Sequence, residues 1–377
     1  MRAPLLGLIL LAGCAAPAPP APAPITIPAE ALSAVAQREL ARQRLVGLGA
    51  GVVIQGRVAW LGGFGFADRE AGELLDPTVH QLRWASLAKS VNGALAARQA
   101  VSGALTVDDD VTTLIPGAPA GVTVRQLLTH TGGVQSYDDG SVDPTPPLTS
   151  QLDPTVNTGF VWALDAWMGA PLLAEPGREF RYSTLSHNLA GAAVGASAAR
   201  SGEAADTAWF RLLDAMLAGT GADVGPDREW APRPQRAKGY RLADDGRVYP
   251  SADVDVSWKA PGGGLISTVQ GLATWCALLA GDAVLDAAAK ELMWAPQPLA
   301  EGGTSYYGFG VGLGERDGRR TIEHDGGQEK TRTRMVLYPD DGLCFVAMTN
   351  TESSGRYPVE MRRVTDGLED VVRAALK

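Results

Sequence analysis

Ser86 and Lys89 are the two residues whose types and spacing could perform chemistry together. They form the S-x-x-K motif of Arg83–Val91, which reads RWASLAKSV. Positions three apart on a helix share a face, so the hydroxyl and the amine can touch. A serine hydroxyl becomes a good nucleophile when a base takes its proton, and a buried neutral amine can be that base. The motif therefore predicts acyl transfer through a covalent serine intermediate.

The composition limits the classes of protein that this chain can belong to. Its 377 residues can bury a large core in one domain or two closely packed ones. The hydrophobic content of 45% and charged content of 20% are those of an ordinary soluble globular protein. The net charge of −9 argues against a nucleic-acid partner, which requires a basic face.

No arrangement of histidines and cysteines indicates a metal site, and no cofactor is predicted. The four histidines are scattered without ligand spacing, and no C-x-x-C occurs; they are His80, His130, His187 and His324. Cys276 lies in a predicted helix and Cys344 in a predicted strand. A secreted protein could pair these two cysteines, but two buried thiols are the favoured expectation.

The N-terminal segment has the features of a targeting signal. A positive start is followed by the apolar stretch Leu5–Ala12, which is too short to span a bilayer as a helix. Leu11-Ala12-Gly13-Cys14 resembles the lipobox of bacterial lipoproteins, which implies removal of residues 1–13 and lipidation of Cys14. Residues 14–28 form an Ala/Pro tether. The expectation is a lipid-anchored, periplasm-facing protein of the bacterial cell envelope; the alternative is a plain secretory signal.

Hydrophobic periodicity predicts the elements that must position Ser86 and Lys89. An N-terminal helix precedes a β-hairpin, a helix carries the motif, and a mostly helical block follows; the ranges are 29–45, 49–54 with 57–62, 86–97 and 105–254. A further helix, capped by Ser267 or Thr268, runs to Ala280. Four strands and a closing helix are then predicted at 307–312, 321–324, 333–338, 343–349 and 359–376.

Strands at both ends of the chain predict an α/β (α+β) fold. One antiparallel sheet flanked by helices would be built from residues 29–80 and 255–377, and residues 81–254 would form an inserted all-helical subdomain. Residues 29–377 would thus make a single catalytic domain.

Three further segments accompany the S-x-x-K motif. They are VRQLLTHTGG at 124–133, EPGREFRYST at 175–184 and EHDGG at 323–327. With them, the chain from about residue 29 to 377 resembles the serine β-lactamase and penicillin-binding-protein superfamily, in the branch of class C β-lactamases and D,D-peptidase-like hydrolases. The resemblance implies the β-lactamase/transpeptidase fold.

The resemblance also implies roles for individual residues. Ser86 would be acylated, Lys89 would share its proton, and Tyr182 would be a base or proton relay. A phenol can be a base only where cations stabilise its anion, and Lys89 is one candidate cation. Backbone N–H groups of Ser86 and Gly327 would form the oxyanion hole, where each donor contributes roughly 3–4 kcal/mol.

Substrate binding would fall to Thr184 and to His324, Asp325 and Gly326. Thr184 stands where the superfamily often has Asn, and His324 where β-lactamases usually have Lys. Both departures point from β-lactam hydrolysis toward cleavage of a D-amino-acid peptide of cell-wall origin or a small ester. Alternatives are a slow-turnover penicillin-binding or sensing protein, a weak β-lactamase, and a scaffold with relic motifs. The oligomeric state is not predicted.

Several residues keep a second interpretation. Tyr137 is a fallback base, and His324 could be structural or part of a Ser-His-Asp triad. His130 is expected to bond the last carbonyls of a helix. Asp108–Asp110 are expected at a helix start, where carboxylates complement the dipole.

Three cations of one predicted strand also keep two interpretations. Lys330, Arg332 and Arg334 would share one face, because alternate residues of a strand point the same way. They could form a solvated edge or a carboxylate- or phosphate-binding rim of the cleft.

Overall fold

The computed structural model describes residues 27–137, 143–353 and 355–377. Cys14, the predicted signal at 1–13 and nearly all of the tether at 14–28 lie outside the described residues.

The helices follow the predicted order along the chain. They are α1 Ala29–Arg42, α2 Ala88–Val101, α3 Val124–Leu128, α4 Leu148–Gln151, α5 Thr184–Ser197, α6 Ala205–Leu217, α7 Val269–Ala280, α8 Ala287–Met293 and α9 Met361–Ala375, with 3₁₀ turns at Ala85–Leu87, Val111–Thr113, Val161–Ala166 and Ser257–Lys259. Asp110 caps the turn at Val111–Thr113, and Thr268 caps α7.

The strands of five or more residues lie toward the two ends of the chain, and strands of two or three residues also lie between them. They are β1 Gly47–Ile54, β2 Arg57–Asp68, β3 Glu73–Leu74, β4 Leu82–Arg83, β5 Gly225–Pro226, β6 Tyr240–Leu242, β7 Val248–Pro250, β8 Leu265–Ser267, β9 Gln297–Pro298, β10 Thr304–Ser305, β11 Gly312–Arg316, β12 Arg319–Gln328, β13 Thr331–Tyr338, β14 Leu343–Thr349 and β15 Thr351–Glu352.

One seven-stranded sheet joins both ends of the chain, in the order β11-β12-β13-β14-β1-β2-β3. Its named pairings are antiparallel, with Val52 opposite Phe345 where β1 meets β14. Residues of β14 alternate between two cores, because neighbouring strand residues point to opposite faces. Phe345 and Ala347 pack with α1 and α9, whereas Val346 and Met348 pack with the helical part. The predicted antiparallel sheet and fold class are confirmed. Residues 81–254 are not all helical, however, because β4 and β5 within them pair with β8, and β6 pairs with β15.

A disulfide links α7 to β14, so the expectation of two free thiols is wrong. Cys276 and Cys344 are bonded, with their Cα atoms 6.5 Å apart. Cys344 lies on the face of β14 that packs against α7, together with Val346. The sequence showed two buried cysteines but not this helix-to-strand alignment, which decides whether they can pair.

The predicted strand at 307–312 is also wrong for most of its length. Only Gly312 belongs to β11, and the preceding residues turn against the helix that carries Lys89. Gly310 has a φ of 71°, and a Cβ there would lie 2.0 Å from the Lys89 carbonyl oxygen. Close approach, rather than strand pairing, explains the glycines of this segment.

Among the described residues, none of the helices combines the length and apolar character needed to cross a membrane.

Candidate active site

Ser86 sits in a turn that is held in a strained conformation. The preceding Ala85 has a φ of 49°, which costs free energy for a residue with a Cβ. Trp84 anchors this turn: its indole donates to Ser267 Oγ at 2.7 Å, and its carbonyl accepts from Thr333 Oγ1 at 2.8 Å. Ser86 is thereby presented, half-buried, at the start of α2.

Lys89 is fully buried and points back at Ser86. Its Nζ lies 3.2 Å from Ser86 Oγ, 3.3 Å from Thr184 Oγ1 and 2.5 Å from the Gly262 carbonyl oxygen. A neutral amine has two N–H donors and one lone pair. Donation to Gly262 and Thr184 leaves that lone pair for the Ser86 proton. The three contacts would also suit an ammonium with three N–H donors, so the surroundings of Lys89 must select the neutral amine.

The charges around Lys89 favour the same protonation state. Burial, and then the positive charge of Lys259, lower the pKa of Lys89 well below its usual range. An amine with a depressed pKa is free to accept a proton near neutrality. Lys89 is thus suited to be a base and not the cation expected beside Tyr182.

Tyr182 lies beside Ser86 as a neutral phenol. Its ring centroid is 4.9 Å from Lys89 Nζ. Burial raises the pKa of Tyr182, although a hydrogen bond with Ser86 acts in the opposite direction. A phenol whose pKa is raised can hand a proton on but does not persist as an anion. The geometry fits a relay better than a base.

His130 packs against Tyr182 and bonds the backbone next to it, whereas the sequence predicted that it bonds the last carbonyls of a helix. Its Nδ1 accepts from the Ser183 backbone N–H at 3.1 Å, and its ring centroid is 4.3 Å from that of Tyr182. Its φ of 58° turns the chain out of α3 toward the loop that contains Tyr137. The sequence indicated a structural role for His130. In the structure this role is to position Tyr182 and not to bond the carbonyls at the end of a helix.

His324 is neutral and has both ring nitrogens engaged. Nδ1 lies 2.6 Å from the Asp325 carbonyl oxygen, which can only accept, so Nδ1 carries the proton. Nε2 then accepts from the Tyr307 hydroxyl at 2.7 Å. Burial lowers the pKa of His324 to about 4. His324 therefore supplies no fixed positive charge, and no triad geometry with Ser86 is seen.

The end of β12 offers a free backbone edge to the cleft. β11 pairs with β12 only as far as Glu323, so within the described part of the chain residues 324–328 pair on one side, with β13. A Cβ on Gly326 would lie 2.6 Å from the Trp84 carbonyl oxygen, so only glycine allows this approach. Gly327 lines the same cavity as Ser86, where its N–H could meet a substrate carbonyl.

Two cavities lie near Ser86: Ser86 itself lines the first, and Tyr182, which bonds Ser86, lines the second. The first, the Lys259 cavity, measures about 360 Å³ and is lined by Ser86, Tyr137, Thr184, Trp258, Lys259 and Gly327, among others. The second, the His324 cavity, measures about 320 Å³ and is lined by Tyr182, Tyr307, Gly312, Glu323, His324 and Asp325. Of the residues predicted to bind substrate, Thr184 lines the first cavity, and His324 and Asp325 line the second.

Lys330 lies in the turn before β13, and together with Arg332 and Arg334 of β13 it forms neither a solvated edge nor an anion-binding rim. Lys330 bonds Glu229 and Asp253, and Arg334 is buried against Asp325 and Glu323. Arg332 donates to backbone carbonyls, including that of Gln328 at 3.0 Å. Acidic partners from other segments, unseen in the local sequence, neutralise Lys330 and Arg334.

Three residues that line or support the site were missed by sequence reasoning. Gly262 supplies the carbonyl for Lys89, Tyr307 holds His324, and Lys259 lines the cleft. The signal for Lys259 was a lone lysine within the apolar segment Val256–Pro261, where a buried charge needs an explanation. Tyr307 and Gly262 carried no local signal.

Within the ranges that the structure describes, no three His, Cys, Asp or Glu side chains are grouped as a metal site would require.

The fold and the Ser86–Lys89–Tyr182 arrangement define a β-lactamase-fold serine hydrolase. The family model described as Beta-lactamase matches residues 32–368, and the chain belongs to this family.

The curated relatives match the chain over part of its length. Protein flp of Staphylococcus aureus (strain MRSA252) is 27% identical over 167 residues, which is 42% of this chain and 32% of that protein. Esterase EstB of Burkholderia gladioli is 31% identical over 175 residues, 43% of this chain and 44% of the esterase. The matches thus span less than half of these relatives.

Solved structures resemble the chain over nearly its whole length. D-amino acid amidase from Ochrobactrum anthropi SV3 has a TM-score of 0.75 at 20% identity, covering 92% of this chain and 99% of the amidase. The octameric penicillin-binding protein homologue from Pyrococcus abyssi has a TM-score of 0.71 at 20% identity, with 93% and 78% coverage. Likeness at this identity shows the shared fold.

Proposed function

We propose that this serine hydrolase cleaves an amide or ester through an acyl-enzyme on Ser86. The observation that carries the proposal is the position of the fully buried Lys89 amine, whose Nζ lies 3.2 Å from Ser86 Oγ in surroundings that lower its pKa. The amidase and esterase among the similar proteins support the same reaction class.

The proposed reaction has two halves. Lys89 takes the Ser86 proton as Oγ attacks the carbonyl carbon, and the N–H groups of Ser86 and Gly327 receive the oxyanion. The proton then reaches the leaving group through Tyr182 as the scissile bond breaks. Water, deprotonated along the same route, attacks the acyl carbon and releases Ser86.

The proposed substrate is a D-amino-acid peptide of cell-wall origin or a small ester. A β-lactam would bring a carboxylate toward His324, where the ring is neutral and both nitrogens are already bonded. This site lacks the fixed cation that a lysine would supply there, which favours a peptidase or esterase over a β-lactamase.

Hydrolysis of three substrate classes by the wild type and the Ser86→Ala variant tests this proposal. The panel contains a p-nitrophenyl ester, a D-Ala-D-Ala peptide and a β-lactam. We expect turnover of the ester or peptide and its loss in Ser86→Ala. Full activity of the variant would contradict the mechanism. An acyl-enzyme that persists for hours on every substrate would instead identify a binding or sensing protein.

We also propose that Cys14 is lipidated and tethers the domain to a bacterial envelope membrane, facing the periplasm. The lipobox-like LAGC and the Ala/Pro tether support this, and the Cys276–Cys344 disulfide fits an oxidising compartment. Expression in a bacterial host with an alkyne fatty acid should label the wild type and not Cys14→Ala. Labelling of both proteins, or of neither, would contradict the proposal.

A further inference from the structure

Lys259 is a buried cation for which the described residues provide no hydrogen-bond or ion-pair partner. Only 9% of its surface is exposed. Its Nζ lies 5.2 Å from the ring centroid of Tyr137 and 5.4 Å from that of Trp258, two aromatic residues that line the cavity beside Ser86. A desolvated ammonium costs several kcal/mol unless an anion compensates it. Within the described residues no carboxylate pairs with Lys259, and Glu329 in the lining of the same cavity acts on it only through its longer-range charge.

The backbone around Lys259 is fixed before any ligand binds. The Lys259 carbonyl accepts the N–H groups of Gly262, Gly263 and Gly264 at 2.8–3.0 Å. Asp255 accepts from the Ser257 N–H and hydroxyl at 2.8 and 2.6 Å, which secures the 3₁₀ turn that ends at Lys259. A cation on a rigid support is pre-organised for binding.

The position of the proton donor assigns the two cavities to the two parts of a substrate. A departing leaving group must lie next to the group that protonates it. Tyr182 lines the His324 cavity and not the Lys259 cavity. The leaving group therefore belongs in the His324 cavity, and the acyl part, which stays on Ser86, belongs in the Lys259 cavity.

We propose that Lys259 binds a carboxylate on the acyl part of the substrate, so that the enzyme prefers acyl groups with a free carboxylate. This proposal rests on the acyl-enzyme function proposed above and adds the substrate class. A cation in this place also disfavours acyl groups with a free ammonium, as in amides of free amino acids. Glu329 lies exposed in the lining of the same cavity and forms no ion pair with Lys259 among the described residues.

Esters that differ in one charge test the preference. The full chain would be assayed with three p-nitrophenyl esters. Their acyl groups are adipate with a free carboxylate (monoadipate), adipate with that carboxylate methylated (methyl adipate) and 6-aminohexanoate with a free ammonium. We expect wild-type kcat/KM to fall in that order. Lys259→Met should reduce the ratio of monoadipate to methyl adipate roughly 10- to 100-fold, the usual worth of a hydrogen bond to a charge. Lys259→Arg, which keeps the positive charge, should lower this ratio less than Lys259→Met does. Lys290→Met is the control and should leave the ratio unchanged, because Lys290 pairs with Asp282 outside the cavity.

The pH dependence gives a second readout that a structural lysine would not produce. Burial lowers the pKa of Lys259 to about 8, while Glu329 raises it and Arg83 lowers it. Lys89 and Tyr137 also face this region, and both are neutral because burial lowers the pKa of Lys89 and raises that of Tyr137. The preference for monoadipate should therefore fade as pH rises through about 8. A ratio that is constant from pH 6 to 9.5 would overturn the proposal.

Binding without turnover separates this proposal from the proposed function. Calorimetry on Ser86→Ala would compare monomethyl adipate with dimethyl adipate. We expect tighter binding of the anion, lost in Ser86→Ala/Lys259→Met, even if no ester is hydrolysed. Equal binding of the two ligands, or an unchanged ester ratio in Lys259→Met, would refute the anion subsite while leaving Ser86 chemistry intact. Absence of turnover with anion binding retained would refute the proposed function alone.

Discussion

The two cavities beside Ser86 differ in how their polar groups are satisfied. In the His324 cavity, His324 and Tyr307 bond each other, and Asp325 pairs with Arg334. In the Lys259 cavity, a buried ammonium faces two aromatic rings without a partner among the described residues. Paired polar groups, as in the His324 cavity, stabilise the shape of a cavity. An unpaired charge, as in the Lys259 cavity, is available to bind a ligand. Selectivity should therefore reside on the Lys259 side.

Lys89 contacts residues of both cavities, Ser86 and Thr184 of one and Tyr182 of the other, and its removal should cause the largest effect on activity. Lys89→Met should lower kcat/KM by roughly 10²–10⁴-fold, the usual contribution of a general base. The loss should be equal for anionic and neutral acyl groups, because both use one base. Steady-state kinetics on the adipate esters checks this. A loss confined to one of the two esters would show that the cavities do not share a reaction centre.

The disulfide joins α7 to β14 in the core, and neither of its cysteines lines either cavity, so its removal should change stability but not selectivity. Closing a loop of 68 residues stabilises a fold by about 4 kcal/mol in the chain-entropy model. Denaturant unfolding of Cys276→Ala/Cys344→Ala should show a free energy of unfolding lower by about that amount. The ratio between the adipate esters should remain that of the wild type. Wild-type protein treated with a reductant serves as the control. If neither the reduced wild type nor the double variant showed a lower unfolding midpoint, the Cys276–Cys344 disulfide would be contradicted.

Tyr182 belongs to the leaving-group side, so its removal should depend on the leaving group. Tyr182→Phe should lower kcat/KM, which reports the acylation step, roughly 10²-fold for an alkyl ester, which needs a proton on its oxygen. The loss should be much smaller for p-nitrophenolate, which leaves without one. Lys259→Met should show no such dependence. Equal losses of Tyr182→Phe on both esters would break the assignment of the two cavities.

Acid should destabilise the His324 side. The folded-state pKa of His324, about 4, lies below the ordinary value of 6.5, so the unfolded chain binds its proton first. The free energy of unfolding should fall as pH drops from about 6.5 to about 4, by up to about 3 kcal/mol from this group. His130 and His187, also buried and with lowered pKa values, should add to the slope. Urea unfolding of His324→Gln should show a shallower pH dependence; an identical slope would contradict the neutral ring.

The residues of one local segment were readable from the sequence. The three-residue spacing on a helix predicted that Ser86 and Lys89 meet, and hydrophobic patterning predicted the strands of the sheet. The role of Tyr182 beside them was implied by the resemblance to the superfamily. The partners that complete the site come from distant segments. Gly262 lies 173 residues from Lys89. The surroundings of Lys259, the Cys276–Cys344 bond and the acids around Lys330 likewise depend on tertiary alignment, which local periodicity does not encode.

The acyl-enzyme on Ser86 is the central claim, and mass spectrometry of quenched reactions tests it most directly. Full-length protein would be mixed with p-nitrophenyl methyl adipate, quenched in acid within the first turnover and digested. We predict an acyl adduct on the peptide that contains Ser86, absent from Ser86→Ala, that disappears as turnover proceeds. Turnover without an adduct on that peptide, or an adduct on another residue, would contradict the account.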